Sequence, residues 1–191
     1  MAVRSLRIVV LVIVAFAAGL LLARLIAPSK VEPPQTERAT VFPAARPVPA
    51  LDLVDQDGKP LGPDFFAGHW TLVFFGFTQC PDVCPTTLAT LAQVVRSVGD
   101  MPAGEQPRVL LVSLDPERDT PDILAPYVRF FDPSFLGARG SLEATAAAAA
   151  AFNLPYAKVP LPEGGYTLDH GSGIFVVGPS GGTEAYGSAP H

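Results

Sequence analysis

Cysteine is nearly absent from this chain: Cys80 and Cys84 are the only two among 191 residues, four positions apart. A pair so close cannot staple distant segments, so a disulfide scaffold is excluded and the cysteines read as a site. Basic residues are scarce beyond the N-terminus. Arg4, Arg7, Arg24 and Lys30 flank one apolar run, and after them nine Lys and Arg face eighteen Asp and Glu. No basic stripe remains in that acidic part, which excludes a nucleic-acid partner, because phosphate affinity needs clustered cations. Internal repeats are absent, which excludes a solenoid.

The apolar run is the first feature that is present. Ile8 to Ala23 is uninterrupted and Leu25 to Ala27 extend it. With Arg7 and Arg24 snorkelling at its ends, it is long enough for one transmembrane helix. A cleaved signal would have a shorter apolar core and a small residue where Leu25 stands, two before Ala27. Residues 1–27 are therefore expected to be an uncleaved, single-pass membrane anchor. Arg4, Arg7 and the terminal amine favour an N-in orientation, which puts the rest of the chain on the oxidising, extracytoplasmic side. No Arg- and Ser-rich presequence precedes the run, so the expected place is a bacterial inner membrane, facing the periplasm.

Residues 28–49 are Pro-rich with few large apolar groups and read as an extended linker. A domain over 50–191 follows. Leu51 to Pro60 starts it as a hairpin with Asp57-Gly58 at the turn. Trp70–Phe77 and Arg108–Leu114 are continuous apolar runs, the pattern of strands buried on both faces. Helices are expected over Thr86–Val98 with Pro85 in the first turn, from Pro121 to Phe131, and over the alanine-rich Ser141–Phe152, for which helix propensity suffices. Gly173–Val177 and Thr183–Tyr186 form a closing pair of strands around a Gly-rich turn. Strands alternating with helices make this an α/β domain, a thioredoxin-like fold with an N-terminal hairpin extension. A C-terminal helix is not visible after Tyr186, so one sheet face is expected to be less covered.

The cysteines lie in Phe77-Thr78-Gln79-Cys80-Pro81-Asp82-Val83-Cys84-Pro85, between a buried strand and a helix start. Unsatisfied N–H groups and the positive end of the helix dipole favour thiolate there, so the thiol pKa is expected to fall. The spacing brings both sulfurs to one side, which suits a soft ion such as Cu(I), a disulfide, or zinc. Zinc would lack its fourth ligand. A peroxide-reducing site would need an activating Arg, and none lies in 74–90.

Three histidines can supply a third ligand. His191 is the last residue, and His69 precedes the first central strand, at the end away from the cysteines. His170 lies in Thr167-Leu168-Asp169-His170-Gly171-Ser172-Gly173, read as a loop entering the third strand; in a thioredoxin-like topology that loop packs against the cysteine turn. Neighbouring glycines allow close approach.

With Phe74-Phe75-Gly76-Phe77-Thr78-Gln79-Cys80-Pro81-Asp82-Val83-Cys84-Pro85, Val112-Ser113-Leu114-Asp115-Pro116-Glu117-Arg118-Asp119-Thr120-Pro121 and Asp169-His170 in this order, the chain over roughly 45–187 resembles the Sco/SenC family. These are thioredoxin-like copper chaperones for cytochrome c oxidase assembly. The resemblance implies Cys80, Cys84 and His170 as copper ligands, for Cu(I) and also Cu(II), with Asp82 tuning the loop. It implies as partners the copper-site subunit of the oxidase and an upstream copper donor or thiol reductant. The competing function is a membrane-anchored thiol–disulfide oxidoreductase, with Cys80 attacking and Cys84 resolving. The segment Asp115–Thr120 is expected to serve as a turn and helix cap.

Overall fold

The computed structural model describes residues 11, 13–22, 38–102 and 104–188. The chain divides into two units, Met1–Glu32 and Pro33–His191. In the first, residues 13–22 are helical, and Ile13, Val14, Phe16, Leu20, Leu21 and Leu22 are all exposed. No helix among the described residues is long and apolar enough to cross a membrane. The expected anchor over 1–27 lies largely outside the described residues, as do 28–37 of the expected linker and His191.

In the second unit, two strands carry the core. β3 (Thr71–Gly76) and β4 (Arg108–Ser113) are the two continuous apolar runs, paired in parallel from Thr71↔Arg108 to Gly76↔Ser113. Val73, Phe74, Phe75, Leu110, Leu111 and Val112 are fully buried, because helices cover both faces. Among the described residues seven strands form the sheet, from β1 (Ala39–Pro47) at one edge to β2 (Val54–Asp55) at the other, in the order β1-β9-β8-β3-β4-β5-β2. β5 (Leu136–Arg139) extends the parallel part, while β8 (Ile174–Val177) and β9 (Gly182–Gly187) run antiparallel on the other side of β3.

The helices α1 (Val83–Ser97) and α2 (Pro121–Phe131) are the crossovers between the parallel strands β3, β4 and β5, and right-handed crossovers place both on one face. There a Cβ on Gly137 would stand 2.7 Å from Leu124 Cγ of α2, so glycine lets that helix seat. The helix α3 (Leu142–Ala151) covers the other face, where the Phe152 ring meets Phe75 and Phe175 edge-on at 5.2 and 5.0 Å. Ser141 caps it by accepting from Ala144 N–H at 3.0 Å. Its alanines also have a packing role: Ala144, Ala148 and Ala149 are buried.

Four segments differ from the sequence reading. Ala39–Pro47 is strand β1, antiparallel to β9, so this part of the expected linker is an edge strand; its prolines are tolerated where one side of the strand has no partner. The expected hairpin at 51–60 is short, with β2 (Val54–Asp55) bridged to Pro60 across a turn at Gly58 with φ 79°, and β2 also pairs with β5. β5, four residues long, carries no periodic signal. Tyr156–Pro160 (β6) and Tyr166–His170 (β7) form a separate two-stranded hairpin turning at Gly164 and Gly165, both with positive φ. β9 is the last element among the described residues.

Candidate metal centre

The site forms at the C-terminal ends of β3 and β4, the end of a parallel sheet where ligands are generally bound. Beyond β3, the cysteine loop turns with Cys80 N–H donating to Phe77 O at 3.2 Å, and α1 begins at Val83. Its first turn is not capped by the Asp82 side chain. The free Cys84 N–H instead donates to Cys80 Sγ at 3.3 Å, so a helix-terminal donor points at a sulfur.

The two thiols are unlike. Cys80 is half-buried, whereas Cys84 has no exposed surface. The Cys84 side chain donating a hydrogen bond holds the Cys80 thiol down to about 4, against burial and helped by His170 and the backbone N–H groups of Cys84 and Asp82. The same shared hydrogen bond, with burial, pushes Cys84 up. One proton between two sulfurs thus belongs to Cys84. The helix terminus is expected to lower thiol pKa values generally; the hydrogen bond to Cys80, with burial, reverses that for the inner cysteine.

His170 is the last residue of β7 rather than part of a loop. Its Nδ1 lies 2.8 Å from Gly171 O, which only accepts, so Nδ1 carries the proton. Nε2 lies 3.9 Å from Cys84 Sγ. The Phe74 and Phe77 rings stand edge-on to the imidazole at 6.4 and 5.9 Å. A cavity of about 360 Å³, lined by Tyr156, Asp169 and His170 among others, opens beside it. The structure therefore brings Cys80, Cys84 and His170 together and leaves the exposed His69 before β3, at the other end of that strand. Among the described residues, no group of three or more His, Cys, Asp or Glu is placed to hold a metal ion as it stands. The three side chains are neighbours with sulfur and imidazole donors, a soft set.

The sequence reading underestimated the Asp115–Thr120 segment. Thr120 is the N-cap of α2, but without a side-chain capping bond. Asp119 turns inward and is fully buried. It accepts from Thr78 Oγ1 at 2.6 Å, Thr78 N–H at 3.2 Å and Ser113 Oγ at 2.5 Å, tying the cysteine loop to the end of β4. Burial raises its carboxyl above the usual range, against the hydrogen bonds from Ser113 and Thr78. A serine closing an apolar strand is the one signal that marked this network. Tyr127 of α2 buries its hydroxyl without a hydrogen-bond partner; burial, then the charges of Cys84, Cys80 and Asp119, pushes the phenol up.

Residues 43–188 match the SCO1/SenC family model. A Stutzerimonas stutzeri protein described as copper-binding is 37% identical over 152 residues, 78% of this chain and 73% of that protein. The chain spans about half the length of the mammalian mitochondrial SCO2 homologs it matches. Copper-bound Bradyrhizobium japonicum ScoI superposes with a TM-score of 0.65 at 36% identity, over 70% of this chain and 83% of that one. BsSco, described as a disulfide-switch member of the Sco family of cytochrome c oxidase assembly proteins, gives 0.57 at 25% identity, over 75% and 84%. The mixed α/β, thioredoxin-like architecture is common to these structures.

Proposed function

The chain belongs to the SCO1/SenC family, and from that membership and the donors of its site we propose that it carries copper as cargo to cytochrome c oxidase during assembly. Cys80, Cys84 and His170 are the ligands. The observation that carries this reading is the convergence of two sulfurs and an imidazole: Cys84 N–H donates to Cys80 Sγ at 3.3 Å, and His170 Nε2 lies 3.9 Å from Cys84 Sγ. Two sulfurs and one imidazole suit Cu(I) and accept Cu(II). Cys80 binds without losing a proton, and Cys84 releases one to solvent as its thiolate forms. Three protein ligands leave room for a thiolate of the oxidase's copper-site subunit to enter and draw the ion away. An upstream copper donor loads the site. The apolar segment at the N-terminus anchors the chain in a bacterial inner membrane, with the domain on the periplasmic side.

The test is competitive Cu(I) titration of the reduced full chain. One equivalent should bind. His170→Ala should weaken binding by more than the roughly 10- to 100-fold typical of losing a ligand's hydrogen-bond partner. Unchanged affinity in that variant would sink the three-ligand reading.

A second reading is favoured by the asymmetry of the thiols. An accessible, ionised Cys80 above a buried, protonated Cys84 is the arrangement of an attacking and a resolving cysteine. Cys80 would form a mixed disulfide with a partner's disulfide; Cys84 would then attack Cys80, lose its proton and release the partner as a dithiol. Disulfide cycling in His170→Ala at the native rate, without stoichiometric copper in the native chain, would select this function.

A further inference from the structure

His170 sits on a hairpin that, among the described residues, has no ladder to the main sheet: β6 and β7 pair with each other. Beyond the three-residue link from His170 to β8, side chains therefore fix where the imidazole stands relative to the cysteines. Leu168 is buried and helps, and the Lys158–Glu117 ion pair links β6 to the 115–120 loop. That pair is exposed at both ends and contributes little.

One residue joins all three parts. Arg118 Nε pairs with Asp115, whose side chain is 1% exposed. Its Nη1 donates to Gln79 Oε1, next to Cys80, at 3.0 Å and to Tyr166 O, in the first position of β7, at 3.0 Å. The guanidinium also stacks over the Tyr166 ring at 3.8 Å, and Tyr166 OH returns to Asp115 Oδ1 at 2.8 Å. The planar guanidinium makes these contacts in fixed directions, which a lysine ammonium cannot reproduce. Tyr166 and His170 are four residues apart on one strand, so they share a face and move together.

We propose that Arg118 is a positioning residue: by clamping the β6–β7 hairpin to the cysteine loop and the Asp115 turn, it holds the His170 imidazole against Cys80 and Cys84. The clamp rests on the copper reading for its purpose, but its geometry is testable without metal.

The experiment uses the reduced full chain in detergent with Arg118→Ala, Arg118→Lys and Tyr166→Phe. Imidazole NMR signals of His170, whose ring is edge-on to Phe74 and Phe77, are read without copper. Cu(I) affinity is read in the native and His170→Ala backgrounds. Arg118→Ala should move the His170 signals and weaken copper binding about 10-fold in the native background, the scale of losing a ligand's support, with almost no loss when His170 is already absent. Arg118→Lys should recover only part of this, since it keeps the Asp115 pair and loses the fork. Tyr166→Phe should produce a smaller shift of the same signals. Unmoved His170 signals in a folded Arg118→Ala chain would overturn the proposal, as would equal affinity losses in both backgrounds. If Arg118→Ala does not fold, Gln79→Ala and Tyr166→Phe decide it: His170 signals unmoved in both defeat the clamp. A native chain that binds no copper through His170 counts against the proposed function, while the NMR signals still decide the clamp.

Discussion

Cys80 and Cys84 occupy the same loop and the same helix terminus, yet their thiols move in opposite directions. The cause is the hydrogen bond in which Cys84 donates to Cys80, together with the deeper burial of Cys84. Absorbance of thiolate in the ultraviolet should therefore show one cysteine ionising with a midpoint of about 4 and the other staying protonated through neutral pH. Cys84→Ala removes the main cause and should move the Cys80 midpoint upward. The same asymmetry makes stability depend on pH. Cys80 is depressed from 9.0 to about 4, so between those values the unfolded chain holds a proton that the folded chain does not. Its contribution is complete above about pH 9 and fades as pH falls toward 4. Cys84 is raised, so its contribution holds below its unfolded value near 9.0 and fades above it. Urea midpoints of the reduced chain should rise from pH 5 to pH 8, and rise less in Cys80→Ser.

At the scale of elements, close approach between helix and sheet is set by what is missing from the side chains. Gly137 of β5 sits under Leu124 and Val128 of α2, and an added Cβ would lie 2.7 Å from Leu124 Cγ. Gly137→Ala should cost about 1–3 kcal/mol of unfolding free energy as overpacking, measured by urea denaturation. Gly76, the last residue of β3, is tighter in function: its Cβ would meet Cys84 Sγ at 2.9 Å and Phe74 at 3.0 Å. Gly76→Ala should displace the buried cysteine and shift the Cys80 titration, a readout that Gly137→Ala should leave alone. On the opposite face, Ser141→Ala removes the cap of α3 and should cost about 1 kcal/mol without touching the site.

For the whole molecule, the finding of most consequence is β1. A tract that reads as linker closes the β9 edge of the sheet, and Val48 N–H adds a bond to Gly181 O at 3.2 Å. A chain begun at residue 50 should unfold at lower urea than one begun at residue 28. It should also associate as its concentration rises, because β9 would then present unpaired N–H and C=O groups. Sedimentation at two concentrations distinguishes the two chains. The expected thinness of one sheet face is not seen at the centre, where Phe74 and Phe75, on opposite faces of β3, are both fully buried.

The sequence by itself determined the elements whose signal is local. Uninterrupted apolar runs marked β3 and β4, Pro121 and Ser141 marked helix starts, and Cys80 and Cys84 at a strand-to-helix junction marked the site. Such patterns depend on residues a few positions apart, and they survive any tertiary arrangement. Tertiary structure alone decided the rest. β1 and β2 exist because distant partners, β9 and β5, offer them ladders, and β5 is too short to show a period. The split between the two thiols depends on their shared hydrogen bond and on the burial of Cys84 at the start of α1, and the strand position of His170 on a hairpin joined to the cysteines by side chains. Arg118 reaches Gln79 and Tyr166 across 39 and 48 residues of chain. Contacts between segments so far apart leave no periodic trace in sequence, because their geometry is set only when the sheet and its loops have closed around them.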